Sequence, residues 1–190
     1  MAQARTGAVI SVAPGRYAEN LTIRTRVTIV AEGERDSVEI CPRLGSAVTV
    51  MAEEVMLTGL LLRGGDEDVP VVDAPRGQAV MERCTVAGSG WAAVLARMSG
   101  SLAMRGCRVT NPAGAGVVDI APGGSVVEDC QIEHLGSSAV VLANAPARSC
   151  GTACCGTRAA TACSPTARRG ARSRTARSPP PTSPASPWRP

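Results

Sequence analysis

The chain has 190 residues, with 20 Arg and no Lys against 16 Asp and Glu, a net charge of +4, and only 2% aromatic residues. The charge is unevenly placed: residues 144–190 hold eight Arg and no acid, so 1–143 carry 12 basic against 16 acidic residues, net −4. That excludes a basic groove with interleaved aromatics for specific nucleic-acid recognition, no apolar run is long enough for a membrane span, and the Met-Ala-Gln start is not that of a signal peptide.

In chain order, residues 1–6 read as the remnant of an N-terminal cap, because the terminal coil of a repeat array needs a polar cover. The stretch GAVISVAPGRYAENLTI (7–23) is an apolar strand leading to a Pro-Gly turn and a Tyr-x-Glu, and RVTIVAEG (26–33) is a second strand. Cys41 has no partner pattern and is expected to pack as a small hydrophobe. RGGDEDVPVVD (63–73) is an acidic loop, read as solvated; it is also the nearest approach to a Ca²⁺ site in the chain.

From residue 78 to 146 the chain repeats without gaps at a period of 23. Cys84, Cys107 and Cys130 share a column, as do Val86, Val109 and Ile132. Further columns hold Met81, Met104 and Val127; Val94, Val117 and Val140; and Leu95, Val118 and Val141. Such a repeat is the mark of a solenoid. The apolar runs are short, rich in Val and separated by Gly, Ser, Asn and Pro, which are strand and turn signals rather than helical ones. The expected fold is all-β: a coil of short parallel strands stacked at about 4.8 Å, of about six turns.

The columns, with the 7–33 opening, resemble the right-handed parallel β-helix repeat proteins of the pectate-lyase-like fold. The resemblance covers residues 7–143, is specific for fold, and is weak for activity, since one fold hosts many functions. It implies a β-helix of the kind found as one module of longer chains in actinobacteria and other GC-rich bacteria, sometimes joined to an AAA-type ATPase domain. No GxxxxGK[ST] is present here.

Cys84, Cys107 and Cys130 are expected to form a structural ladder inside the coil. A metal would need converging ligands and finds no His beside them; disulfides between stacked parallel neighbours are geometrically marginal; buried free thiols packing as small hydrophobes is the expected arrangement. No cofactor motif is present. Glu82, Arg105 and Glu128 read as a solvated charge ladder of little energetic worth. Gly88, Asn111 and His134 fall in one turn column, which makes the single histidine a surface group. Trp91 falls in a turn column with Gly114 and Ser137, its ring expected over the edge of a coil. For catalysis the candidates are Asp73, Asp119 and Arg97 alone. Asp73, Ala96 and Asp119 share a 23-residue column, which would put the two carboxylates about 10 Å apart, two strand spacings.

After Ala143 the periodicity ends. The β-helix is taken as 7–147, and 148–190 as a disordered Arg/Pro/Ser-rich tail. The abundance of Arg without Lys points to a GC-rich gene, and the tail reads as a frameshift product. A Cys codon read one base early ends in TG and must encode Leu, Met or Val. Positions 150, 155 and 163 of the tail then continue three of the core columns. The expectation is a fragment of a longer, cytoplasmic protein: a non-enzymatic scaffold or recognition module presenting a flat face to a protein partner or a carbohydrate ligand. Free cysteines suit that reducing compartment. Two alternatives remain: a polysaccharide-acting lyase or hydrolase, and unspecific nucleic-acid or membrane-surface binding by the Arg-rich tail. The uncapped last coil is an open strand edge that could support self-association.

Overall fold

A computed structural model describes residues 4–142 and the backbone of Cys154–Cys155. The expected residues 1–3 of the cap, 143–147 of the solenoid and the tail from 148, apart from that dipeptide's backbone, lie outside the described residues.

The chain forms a parallel β-solenoid of about six turns, each contributing to three ladders. The first turn carries β1 (Ala8–Val12), β2 (Gly15–Tyr17) and β3 (Leu21–Ile23). The second carries β4 (Val27–Ala31), β5 (Val38–Ile40) and β6 (Val48–Val50). The third has β7 (Glu54–Thr58), β8 (Leu61–Arg63) and the start of β9 (Val72–Glu82). The fourth runs through the end of β9, β10 (Thr85–Ala87) and the start of β11 (Ala92–Arg105). The fifth takes the end of β11, β12 (Arg108–Asn111) and β13 (Ala115–Asp119); the sixth takes β14 (Val126–Glu128), β15 (Gln131–Leu135) and β16 (Val140–Leu142). Finally β17 (Cys154–Cys155) lies beside β15. Ladder 2 is a seven-stranded sheet, while ladders 1 and 3 merge into one ten-stranded sheet because β9 and β11 run through the corner between them.

The register follows the sequence columns. Val86 sits between Leu62 and Val109, and Val109 beside Ile132. Leu57, Met81, Met104 and Val127 stack in ladder 1, and Val72, Val94, Val117 and Val140 in ladder 3. Except for half-buried Val140, these side chains are buried in one continuous core, each contributing roughly 1.5–3 kcal/mol. Cys155 pairs with Ile132, the column position expected for it. The first turns are less regular: Ala8 pairs with Val27, and Val27 with Val55, so turn lengths differ before the 23-residue offset settles in.

Alternation sends the residues between the core positions outward. On ladder 3 these are Leu95, Val118 and Val141, in a second apolar cluster with Ala92 and Ala115. Strands β13 and the first part of β11 are therefore buried on both faces, as is common in parallel sheets.

The corner between ladders 1 and 2 is built the same way in four successive turns. Gly59, Arg83, Gly106 and Asp129 have φ of 72°, 51°, 59° and 50°. Each is followed by a buried residue: Leu60, Cys84, Cys107 and Cys130. The left-handed residue turns the chain inward at once, so the next side chain enters the core. Glycine is the residue that adopts this backbone without a Cβ penalty.

Candidate functional site

The structure brings together two of the three catalytic candidates. Arg97 donates from Nε to Asp73 Oδ1 at 2.9 Å and from Nη2 to Asp73 Oδ2 at 2.8 Å. Asp73 is 8% exposed, at the third turn of ladder 3, and Arg97 reaches back to it from within β11, one turn above and just after the residues paired in that ladder. The hydrogen bonds to Asp73 hold the Arg97 guanidinium above its ordinary value.

Asp119 is elsewhere, and the expected column is corrected. Asp73 pairs with Leu95, not Ala96, while Ala96 pairs with both Ala74 and Asp119. Neighbouring positions on a strand point to opposite faces, so Asp73 shares the outward column of Leu95 and Val118, and Asp119 the inward column of Ala74 and Ala96. The physical reason is a turn one residue short between β9 and β11, compensated by an irregularity between Ala96 and Ser99 where Met98 has φ of 55°. Asp119 is 2% exposed; its Oδ1 accepts the Ala121 N–H at 2.9 Å, and its Oδ2 is buried with no hydrogen-bond partner.

The cysteines stack as expected from their column. Cys84, Cys107 and Cys130 are free thiols, 0%, 1% and 1% exposed. Cys84 Sγ lies 3.3 Å from Leu57 O, Cys107 Sγ 3.3 Å from Met81 O, and Cys130 Sγ 3.1 Å from Glu128 O, each within reach of a carbonyl acceptor. Contact with Cys107 lowers the Cys84 thiol against the effect of burial. Cys130 lowers Cys107, but Cys84 and burial together prevail and push it up to about 12. Cys130 is raised, by Cys107 first and then by burial. Among the described residues no group of three or more His, Cys, Asp or Glu is arranged to hold a metal ion. In the DED loop, Asp66 accepts the Gly45 N–H at 2.9 Å and the Asp68 N–H at 3.0 Å, tying two corner loops together.

Comparison with protein-family profiles, with curated proteins and with solved structures finds no match for this chain. Its class is therefore given by its own geometry, a parallel β-solenoid.

Three residues behave differently from their sequence reading or escaped it. Asn111 is wholly buried inside the corner between ladders 2 and 3, where its Nδ2 donates to Gly90 O at 2.9 Å and Ala115 O at 2.8 Å. It pairs with Leu135 rather than His134, which bulges out, exposed, with φ of 52°; the shared turn column fails by that one residue. Trp91 is 48% exposed; its carbonyl accepts the Ala115 N–H at 2.9 Å, one residue beyond Gly114, whose own carbonyl accepts the Ser137 N–H at 3.1 Å. Arg35, which the sequence did not single out, spans three turns: Nη2 donates to Cys84 O at 3.0 Å and Gly106 O at 3.2 Å. It borders a cavity of about 80 Å³ also lined by Gly33, Thr58, Gly59 and Arg83. The only sequence signal was the longer turn around Gly33, rich in charge.

Proposed function

We propose that this chain is a non-enzymatic recognition scaffold, a β-helix module of the pectate-lyase-like kind that presents a flat solenoid face to a protein partner or carbohydrate ligand. The observation that carries this reading is the engagement of the candidate carboxylates. Asp73 is closed off by a bidentate Arg97, and Asp119 stands on the opposite face of its sheet. An acid–base pair for glycosidic bonds needs two carboxyl groups flanking one reacting centre, and these two do not share a face. The buried free thiols suit a reducing, cytoplasmic setting, and among the described residues no helix is long and apolar enough to cross a membrane.

The test is incubation of the full chain with acidic polysaccharides in the presence of Ca²⁺. Binding without turnover supports a scaffold. Turnover that disappears in Asp119→Ala, with the circular dichroism spectrum retained, overturns it in favour of a lyase or hydrolase.

A further inference from the structure

Two thiols of the cysteine ladder stand at a fixed spacing. Cys84 Sγ lies 3.3 Å from Leu57 O and 3.4 Å from Glu82 O. Cys107 Sγ lies 3.3 Å from Met81 O and 3.4 Å from Arg105 O. Met81 is the ladder partner of Leu57, and Arg105 of Glu82. The two sulfurs therefore hold the same place in successive turns and are separated by the strand spacing, about 4.8 Å. Cys130 departs from this frame, with Sγ 3.1 Å from Glu128 O.

That separation selects what the pair can bind. A disulfide needs its sulfurs about 2.0 Å apart, far closer than the ladder sets them. A metal–thiolate bond is about 2.3 Å long, and two of them in line span about 4.6 Å. A linear, two-coordinate ion therefore fits between Cys84 and Cys107 with little movement of either strand. A tetrahedral ion such as Zn²⁺ needs four ligands, and among the described residues no group of three or more His, Cys, Asp or Glu converges on one point. Soft thiolates select Cu(I), an ion that accepts two ligands in line.

Charge at this corner points the same way. Cu(I) between two thiolates carries one net negative charge, which a core does not hold without a partner. Arg35 supplies one: its Nη2 donates to Cys84 O at 3.0 Å and, at 3.2 Å, to the carbonyl of Gly106, the residue before Cys107. None of the salt bridges among the described residues involves Arg35. The cavity of about 80 Å³ bordered by Arg35, Gly59 and Arg83 reaches the residue before Cys84 and gives an approach from outside.

We propose that Cys84 and Cys107 bind one Cu(I) ion in linear coordination, with Arg35 as its counter-ion. Each thiol releases its proton to solvent as its sulfur–copper bond forms; two protons leave and the copper stays Cu(I). Without the ion the same thiols pack as the small hydrophobes already described. The site does not depend on the scaffold reading.

The test uses the full chain with Cys150, Cys154, Cys155 and Cys163 changed to Ser, titrated with Cu(I) without oxygen against a chromophoric Cu(I) chelator. X-ray absorption at the copper edge then counts the ligands. The expected result is one Cu(I) per chain with two sulfur neighbours. Cys107→Ser should weaken binding by about tenfold or more with unchanged circular dichroism, and Cys130→Ser should leave it intact. Arg35→Gln keeps both thiols and should weaken Cu(I) more than Hg(II), whose complex with two thiolates is neutral. Four outcomes overturn the proposal: no Cu(I) bound, binding that survives Cys107→Ser, copper with three or four ligands, or an Arg35→Gln variant that affects both ions equally.

Discussion

Arg97 holds Asp73 in a two-point grip across adjacent turns of ladder 3, Nε to Oδ1 at 2.9 Å and Nη2 to Oδ2 at 2.8 Å. The carboxylate side chain is 11% exposed and the guanidinium 36%, which places the pair between surface bridges and buried ones. Arg97→Ala strands a nearly buried carboxylate and should cost roughly 1–3 kcal/mol. Asp73→Leu with Arg97→Ala should recover most of the loss, because the introduced leucine would extend the outward apolar column of Leu95 and Val118. Urea midpoints of the two variants decide it; equal losses would show that the pair is not what stabilises this corner.

A second pair concerns a missing side chain. A Cβ on Gly88 would stand 2.8 Å from Asn111 Cγ and 3.1 Å from Ala93 Cβ. Gly88→Ala should therefore destabilise by roughly 1–3 kcal/mol. Asn111→Ala leaves the carbonyls of Gly90 and Ala115 without their donor and should cost about as much. The double variant should lose less than the sum of the two, since removing the Asn111 amide makes room for the new methyl group. Strict additivity in thermal or chemical unfolding would argue against this contact.

The thiol column predicts a dependence on pH. Cys107 titrates near 9.0 when unperturbed and at about 12 in the fold. A raised value means the folded state holds its proton longer, so the contribution to stability is complete below pH 9 and is lost as pH rises toward 12. Cys84, shifted downward, offsets part of this at the lower end of the window. Cys107→Ala should flatten the alkaline fall in stability. With Cys150, Cys154, Cys155 and Cys163 changed to Ser, iodoacetamide at neutral pH should modify half-buried Cys41 well before Cys84, Cys107 or Cys130. Fast labelling of all four would contradict the buried ladder.

At the corner between ladders 1 and 2, a Cβ on Gly106 would meet nothing nearer than Arg83 Cγ at 3.8 Å. The cost of Gly106→Ala is therefore conformational and should be about 1 kcal/mol, with Gly106→Asn closer to the parent. A loss of several kcal/mol would mean that the space around this turn is tighter than its geometry indicates.

The frame of the tail can be checked in the gene. The DNA read one base early across residues 150–178 should stay open and restore Leu, Met or Val at positions 150, 155 and 163. The place of Cys155 beside Ile132 agrees with a core column continuing there. A stop codon in that frame would rule the shift out.

Much of the fold was legible in the sequence because a stacked parallel coil writes its register as a period. From Met81 to Val141 the columns of Met81, Val86, Val94 and Leu95 match the strand pairing residue for residue. The misses have one physical origin, the local addition or loss of a residue at a corner. A turn one residue short moved Asp73 to the other face from Asp119, and the bulge at His134 removed it from the Asn111 column. Leu60 heads the cysteine corner but stands 24 residues from Cys84, outside a strict period. The grip of Arg97 on Asp73 depends on side-chain reach across the outside of the coil, which no column records.

The constant offset of the later turns makes length itself a coded quantity. Thr85 lies directly beside Arg108, and Val86 beside Val109. A chain spliced from Cys84 straight to Arg108 would thus lose one storey of the building and keep every remaining side chain on its proper wall. Removal of one residue fewer would turn the next strand inside out until a corner made up the difference, as the irregularity between Ala96 and Ser99 does for the short turn. Duplication and deletion in whole storeys are the changes in length this architecture absorbs with no adjustment at a corner, which makes it a structure able to grow or shrink in reach without being redesigned.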